Sequence, residues 1–302
     1  MNARIQRMTQ ITGLLLGLIW LGYWFKTSVS LALVGFFAIV TVQWSLLAIE
    51  FIVMRWVNQA DATPKASIGQ MAAAWLGENR VCAQVFGWRQ PWQTDTQPDF
   101  LPAPPNIGSA PKRGVVFLHG FFCNRALWTP YMQELASQGH AHIALTMEPA
   151  FGSIDNYVSQ IDRAVRQITQ NTGLPPILVA HSMGGLAARA WMRATNDDAR
   201  VHQVITVGTP HHGTWLAASS HAKNGQQMRL NSEWLRTLAS QETPARRAKF
   251  VCWMSNCDNI VFPVSKAHLE FAQNCTNHGH GHVHLAFTSA VMQDTLKRIY
   301  QT

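Results

Sequence analysis

The sequence predicts an α/β protein whose mostly parallel central sheet is flanked by helices and preceded by two transmembrane helices. Long apolar stretches fill the N-terminal quarter, and short β-prone runs alternate with helical patterns from residue 113 to the end. Strands separated by helices form parallel sheets that are covered on both faces. We therefore divide the chain into a transmembrane hairpin (1–56), a connecting segment (57–112) and a globular domain (113–302).

The composition narrows the class of protein. Of the 302 residues, 47% are hydrophobic and only 13% are charged, a charged fraction well below that of an average soluble domain. This deficit favours contact with a membrane. The formal net charge of +8 comes from scattered basic residues, without a basic helix or an aromatic–basic sheet motif, so we expect no nucleic-acid partner. A basic protein is attracted instead to the anionic surface of a bilayer.

Residues 8–25 and 29–54 are the predicted transmembrane helices. The second stretch is long enough to cross a bilayer with some tilt. The first is shorter, and a signal-peptide core is its alternative, but the second apolar stretch directly behind it favours an uncleaved hairpin. Most basic residues of this region flank the two apolar stretches and do not lie in the connection between them, which predicts a globular domain on the cytoplasmic side of the membrane. They are Arg4, Arg7, Arg55 and Lys65, with Lys26 in the connection.

Gln43 and Glu50 are polar residues within the second stretch. Their i, i+7 spacing places them on one helical face. A polar seam for a partner or a proton path is one interpretation. We favour the simpler one, in which Glu50 lies near the membrane interface and Gln43 bonds within the hairpin.

The connecting segment and the domain follow from their patterns. Residues 66–88 predict an amphipathic helix followed by a short strand, and the proline-rich residues 89–114 predict an extended linker. The predicted strands of the domain are 114–120, 142–147, 175–180, 201–208 and 248–255. The predicted helices are 125–138, 153–172, one from Met183 and one that closes the chain.

Ser182 lies between a predicted strand and a predicted helix, within the sequence AHSMGG (180–185). This sequence differs from the G-x-S-x-G nucleophile elbow only at Ala180. A tight strand-to-helix turn exposes the serine hydroxyl, and small neighbours avoid a backbone collision. The helix from Met183 directs free N–H groups at the site, where they stabilise negative charge. We predict a nucleophile; a plain glycine-rich turn is the alternative.

A nucleophilic serine needs a base, and the base needs an acid that orients it. In a strand–elbow–helix architecture the acid and then the histidine follow the serine along the chain. Asp258 comes directly after a predicted strand, whereas the carboxylates of Asp197, Asp198, Glu242 and Glu270 lie in or at the ends of helices. Four histidines follow Asp258, and the residues alone leave the choice among them open. They are His278, His280, His282 and His284.

Ordered motifs over residues 113–302 resemble the α/β-hydrolase superfamily, in particular its small bacterial lipases. The AHSMGG elbow matches theirs, and a first strand that ends in Leu118-His119-Gly120 matches V-H-G. The segment 207–214 (VGTPHHGT) is similar to a segment of triacylglycerol lipases. Two later segments resemble the family's acid and histidine motifs. They are Asp258-Asn259-Ile260-Val261 and Gly281-His282-Val283-His284-Leu285.

The resemblance implies an α/β-hydrolase fold and a role for each site residue. Ser182 is the nucleophile, His282 the base with His284 in reserve, and Asp258 the acid that fixes the imidazole. The backbone N–H groups of Phe121 and Met183 form the oxyanion hole.

Other residues near these motifs keep two interpretations. We expect His119 and His181, which flank the site, to be structural hydrogen-bonding residues. His211 and His212 either line the acyl pocket or stabilise the loop after a central strand. Residues 213–247 form either a partial lid over an acyl site or a crossover packed on the sheet.

Neither the cysteines nor the histidines predict a metal site. The irregular spacing of the cysteines also argues against a disulfide framework. We expect Cys252 and Cys257 to be buried thiols, with a disulfide between them as the alternative. The four alternating histidines would share one face of a strand, where such tracts bind metals, but no cysteine or carboxylate pair stands beside them. The cysteines are Cys82, Cys123, Cys252, Cys257 and Cys275.

The resemblance therefore implies a serine hydrolase, a lipase or esterase that needs no cofactor. Together with the resemblance to bacterial lipases, the predicted hairpin indicates a protein anchored in a bacterial inner membrane that takes lipid or other ester substrates from the bilayer. Alternatives with the same triad are an acyltransferase, a thioesterase or an amidase, because specificity depends on the pocket. A non-catalytic hydrolase fold that serves as a membrane interaction module is a further alternative, disfavoured by the intact triad. The sequence predicts neither the acyl length nor the oligomeric state.

Overall fold

The computed structural model describes residues 1–103 and 111–301. Its centre is a six-stranded sheet with the order β2-β1-β3-β4-β5-β6, in which every neighbouring pair is parallel. The strands are β1 (Val115–Leu118), β2 (His142–Ala144), β3 (Ile177–His181), β4 (Gln203–Val207), β5 (Phe250–Met254) and β6 (Gln273–Thr276).

Helices precede the sheet and cover it. Those before it are α1 (Asn2–Trp24), α2 (Val29–Val40), α3 (Val42–Val57), α4 (Ile68–Gln84) and α5 (Gln90–Trp92). Those between the strands are α6 (Thr129–Ser137), α7 (Val158–Thr172), α8 (Met183–Thr195), α9 (Lys223–Gln227), α10 (Glu233–Ser240) and α11 (Pro244–Arg247). The last two are α12 (His282–Leu285) and α13 (Ser289–Tyr300).

The central strands are buried on both faces, as parallel strands between helical layers must be. Along β3, Leu178 and Ala180 belong to the core beneath α7 and α8. Ile177 and Val179 point the other way, into the core that α4, α6 and α13 cover, because side chains alternate along a strand. This double coverage confirms the predicted parallel sheet flanked by helices.

The sheet register brings three strand ends together. Ala180 of β3 lies opposite Leu118 of β1 and Thr206 of β4, and His181 lies opposite Val207. In open α/β sheets, ligands bind outside the carboxyl ends of the strands. The register therefore places the turn after β3 at the functional edge of the sheet.

The N-terminal helices differ from the predicted transmembrane helices at 8–25 and 29–54. The first helix already begins at Asn2, and the second stretch is divided at Thr41, where the two halves meet at 58°. The Thr41 hydroxyl donates to the carbonyl of Phe37 at 2.6 Å, a contact that bends helices. Across the described residues, a helix long and apolar enough to cross a membrane by itself is not found; α2 and the helical residues 42–60 meet that criterion only as a bent pair.

The polar start of α1 explains why this helix extends beyond its apolar stretch. Asn2 donates to the carbonyl of Cys123 at 2.8 Å, and Gln6 donates to the carbonyl of Phe122 at 2.9 Å. Both acceptors belong to the loop after β1. The first turns of α1 are therefore attached to the globular part of the chain.

Helix α3 also packs against the globular part. Phe51 and Met54 form a small core with Cys257 and Phe262. On the same side of α3, Glu50 accepts a hydrogen bond from the Asn259 amide at 2.7 Å. Glu50 therefore bonds to the globular part of the chain, a contact that our interpretation of it as an interfacial membrane residue did not include.

The remaining predictions fare unevenly. Helix α4 confirms the amphipathic pattern at 66–88 and starts in a capping box at Ser67, but a single π-helical turn (Val85–Arg89) stands where we expected a strand. Part of the predicted linker, 104–110, lies outside the described residues. Strand β6 was not predicted, because its residues are polar and partly exposed at the sheet edge.

Candidate active site

Ser182 occupies a strained turn between β3 and α8. Its backbone has φ 54° and ψ −126°, a conformation that non-glycine residues adopt at a cost of about 1–3 kcal/mol and that clusters at functional sites. The Ser182 N–H donates to the carbonyl of Val207 at 2.9 Å, and the Ser182 carbonyl accepts from the Thr209 hydroxyl at 2.9 Å. A Cβ at Gly184 would come within 2.5 Å of the Leu118 carbonyl oxygen. The strained turn therefore requires a glycine two residues after the serine.

His282 and Asp258 form a buried pair beside this turn. The imidazole Nδ1 lies 2.9 Å from both carboxylate oxygens of Asp258. One of these oxygens also accepts the backbone N–H groups of Ile260 and Val261 at 2.9 and 2.8 Å, which fixes the carboxylate. Because Nδ1 faces Asp258, the other ring nitrogen, Nε2, is the one left for proton transfer.

The charges around His282 favour its protonated form. Burial lowers the pKa of His282, but the carboxylates of Asp258, Glu78 and Glu50 outweigh it and raise that pKa above its ordinary value. Beside the imidazole, the His181 ring lies 4.6 Å away between ring centroids. Burial and the charge of His282 hold the pKa of His181 well below its usual range, so His181 stays neutral.

Two cavities meet at Ser182. The larger, of about 280 Å³, contains Ser182 and His282 and extends to side chains of α3 and α4. The smaller, of about 140 Å³, runs from Ser182 beneath the segment after β4. Both cavities share Phe121, Leu216 and Ile260 with the serine. A substrate bound with its reacting atom at Ser182 can thus extend in two directions.

A sequence model described as "Alpha/beta hydrolase family" matches residues 115–274, more than half of the chain. The chain belongs to the alpha/beta hydrolase family. No curated protein sequence matches it. Among solved structures, Bacillus licheniformis lipase BlEst2 in its mature form is similar with a TM-score of 0.56 and 18% identity, over 65% of this chain and 95% of that one. Aspergillus fumigatus lipase B has a TM-score of 0.50 and 21% identity, over 59% and 47%. At such low sequence identity, the structural similarity shows the shared fold alone.

Two acidic residues, Glu78 and Glu50, lie at the site of this hydrolase, and our sequence analysis assigned neither of them to it. Glu78 of α4 is 1% exposed and accepts the backbone N–H groups of Val283 and His284 at 2.9 and 2.8 Å. Glu50 of α3 lines the larger cavity together with Gln43. The i, i+7 spacing of Gln43 and Glu50 was a signal for such a site, but we assigned it to the hairpin.

The predicted flanking histidines make hydrogen bonds to the backbone, and His181 also lines the larger cavity. His119 donates through Nδ1 to the Gly120 carbonyl at 2.7 Å and accepts at Nε2 from the Met147 N–H at 2.8 Å. Burial lowers the pKa of His119 to about 4. His181 donates through Nε2 to the carbonyl of His282 at 3.2 Å, so it supports the backbone of that residue.

The other histidines take different positions. His211 is buried in the core with Thr206 and Cys252 at 3.2 and 3.3 Å, and neither it nor His212 lines the two cavities at Ser182. The proposed reserve base, His284, packs its ring on His280 with 4.9 Å between centroids, whereas the contact with Asp258 is made by His282. The four-histidine strand face does not form, because this stretch folds into a turn and helix α12.

Over residues 1–103 and 111–301, no group of three or more histidine, cysteine or carboxylate side chains converges on a metal-sized site. Cys252 and Cys257 are both buried free thiols, as expected.

Both residues predicted to supply the oxyanion N–H groups lie next to the serine. Met183 is the first residue of α8, and the N–H groups of a first helical turn have no intrahelical acceptor. Phe121 follows Gly120 after β1 and lines both cavities. A Cβ at Gly120 would lie 2.9 Å from Ser182 Cβ, so the glycine allows this loop to approach the serine.

The segment 213–247 divides into two parts. Its first part, with Leu216, Ala217 and Met228, forms the wall of the smaller cavity. Its second part, α10 and α11, packs on α8, where the Glu242 carboxylate makes a bidentate ion pair with Arg189 at 2.7 Å. Both partners are buried. The segment thus combines a cavity wall with a crossover.

Proposed function

We propose that this hydrolase cleaves carboxylic esters of lipids through a covalent acyl-enzyme, with Ser182 as nucleophile, His282 as base and Asp258 as orienting acid. One observation carries the proposal. The strained Ser182 turn shares a cavity with an imidazole whose Nδ1 is 2.9 Å from a fixed carboxylate. This combination matches the geometric logic of a serine hydrolase triad.

The mechanism follows from these positions. Ser182 Oγ attacks the ester carbonyl carbon while His282 Nε2 takes the hydroxyl proton. The tetrahedral oxyanion accepts hydrogen bonds from the backbone N–H groups of Phe121 and Met183. The carbon–oxygen bond to the alcohol then breaks, and His282 returns the proton to the departing oxygen. A water molecule repeats the sequence on the acyl-enzyme, which releases the acid and the free serine.

Each of the two cavities suits one half of such a substrate. Leu216, Met228 and Val261 give the smaller cavity an apolar wall, which suits an acyl chain. The larger cavity presents Gln43 and Glu50, which suit the hydroxyl groups of an alcohol such as a glycerol. The lipase names of the similar structures are in keeping with an acylglycerol substrate.

We also propose that α1 and α2 attach the hydrolase to the cytoplasmic face of a bacterial inner membrane. Leu15, Ile19, Val34 and Phe37 are each more than half exposed on these helices, and an apolar surface of this size indicates a lipid or protein contact. Flotation with anionic vesicles tests the attachment. The wild type should float, whereas a chain with Ile19→Glu and Val34→Glu should stay at the bottom of the gradient.

Fluorophosphonate labelling and a chain-length panel of esters test the catalytic proposal. The wild type should be labelled and active, Ser182→Ala should lose both, and His282→Ala should lose activity. His284→Ala is the matched control, because its ring packs on His280, and it should keep most of the activity. Equal activity in wild type and Ser182→Ala would refute the assignment.

A further inference from the structure

We infer that Glu78 and Glu50, from helices that precede the segment matched by the family model, are positioning residues that hold the base His282 in place. The inference rests on the proposed function, because it takes His282 as the base. It means that the N-terminal helices are part of the catalytic unit.

The short helix α12 carries His282 as its first residue. Four residues cannot form a stable helix unaided, because nucleation is unfavourable. The first N–H groups of any helix also lack intrahelical acceptors. In α12, the N–H of Leu285 donates to the Gly281 carbonyl at 2.9 Å, and the three preceding N–H groups need acceptors from elsewhere.

Side chains supply these acceptors. The N–H of His282 donates to Asn259 Oδ1 at 3.0 Å, while those of Val283 and His284 donate to the two oxygens of Glu78. Glu78 therefore acts as an N-terminal cap from 205 residues away along the chain, and its negative charge is well placed at a helix N-terminus. No acceptor inside α12 can replace it.

The approach of Glu78 requires Gly281. A Cβ at this glycine would lie 2.6 Å from the Glu78 Oε2, so a larger residue would push the carboxylate away from the helix. Burial raises the pKa of Glu78 and outweighs the two backbone N–H donors, which lower it. The two N–H groups, aimed at separate oxygens, favour the carboxylate form against this effect of burial.

Glu50 acts on His282 through one intermediate residue, Asn259. Its carboxylate accepts the Asn259 amide at 2.7 Å, which turns the Asn259 carbonyl oxygen towards the N–H of His282. An asparagine side chain can present its oxygen or its nitrogen at one place. The Glu50 bond selects the orientation that His282 requires.

The charged groups packed around His282 determine its titration. They are Asp258, Glu78 and Glu50, with His181 as the neighbouring neutral ring. Removing the Glu78 charge should lower the pKa of His282. Removing the Glu50 charge should lower it by less, because burial raises the pKa of Glu50 to about 7 and Glu50 loses its charge below that pH. Because the neutral imidazole is the active form, the acid limb of the rate profile should then move to lower pH.

The experiment compares the full-length wild type with Glu78→Gln, Glu50→Gln and Glu50→Leu on a soluble short-chain ester, from pH 5 to 9. Glu148→Gln is the matched control. The Glu148 carboxylate also joins the N-terminal region to the globular part, through Met1 at 2.7 Å, but it is not among the charges that raise the pKa of His282. Circular dichroism and thermal unfolding select the folded variants.

We expect Glu78→Gln to lose kcat by roughly 10²-fold, the effect of a small misplacement of a catalytic group, with little change in KM and with its acid limb at lower pH. Glu50→Gln, which keeps an acceptor oxygen, should shift the limb alone, and Glu50→Leu should also lower kcat. A role in folding alone would lower the thermal midpoint without moving the limb, and Glu148→Gln should match the wild type.

Wild-type kcat and an unmoved acid limb in folded Glu78→Gln would overturn the inference. If Glu78→Gln does not fold, Glu50→Leu decides: wild-type kcat there would overturn it, and a lowered kcat would support it. Failure of the proposed function looks different, because the wild type itself would then show no ester hydrolysis that depends on Ser182.

Discussion

Gly208 offers a sharp test of the His282–Asp258 pair. This glycine directly follows β4 and has φ +59°, and its N–H donates to the Trp253 carbonyl at 2.9 Å. A Cβ at this position would lie 3.0 Å from His282 Nδ1 and 3.1 Å from Asp258 Oδ2. The change Gly208→Ala therefore places one methyl group against the His282–Asp258 pair, while both residues of the pair keep their identity.

The expected magnitudes follow from these values. An L-residue in the left-handed region costs roughly 1–2 kcal/mol, so Gly208→Ala should lower the free energy of unfolding by about that amount. Its contacts are tighter than most real Cβ contacts, so the pair must shift by a few tenths of an ångström. Because a 1 Å misplacement can cost about 10²-fold in rate, we expect kcat to fall on the order of tenfold.

Gly173→Ala is the matched control. Gly173 ends α7 with φ +72°, and an added Cβ would meet nothing within 4 Å. It should show the same loss of unfolding free energy in urea and an unchanged kcat for ester hydrolysis. If Gly208→Ala kept the kcat of Gly173→Ala at equal stability, the methyl group would not disturb catalysis. The assignment of His282 and Asp258 as the working pair would then be refuted.

Four further outcomes are expected. Asp258→Asn should lower kcat by about 10⁴-fold with the fold intact, since an amide leaves the imidazole in the wrong tautomer. In a pH titration, kcat/KM should fall as pH drops through the pKa of His282, at higher pH than for an ordinary imidazole because that pKa is raised. Glu242→Ala leaves Arg189 buried without its partner and should cost about 3–5 kcal/mol in urea unfolding. Ala217→Phe narrows the smaller cavity, so an ester panel should shift towards shorter acyl chains.

Local sequence patterns predicted most of the fold and part of the candidate site. The strand–serine–helix order around Ser182 predicted the turn, because the turn depends on neighbouring residues. Asp258 followed from its position after a strand, whereas the choice of His282 required the family resemblance. Contacts with residues far along the chain were not predicted, as the bond between Glu50 and Asn259 shows. An apolar helix face looks the same in sequence whether lipid or a protein core covers it, and the partner of Glu50 lies far along the chain.

Glu78 illustrates why this limit falls at the active site. A single glutamate in an amphipathic helix is normally a solvated charge, and nothing within α4 distinguishes it from one. Its role arises only when α4 meets the chain two hundred residues later, at the helix that carries His282.

The lining of the larger cavity also depends on residues that are distant along the chain, since Gln43, Glu50 and Glu78 all precede the segment that the family model matches. The family is identified by residues 115–274, whereas under the proposed function the preference for an alcohol depends on the helices before them. Exchanging Gln43 should therefore change which alcohol is released more than which acyl chain is taken.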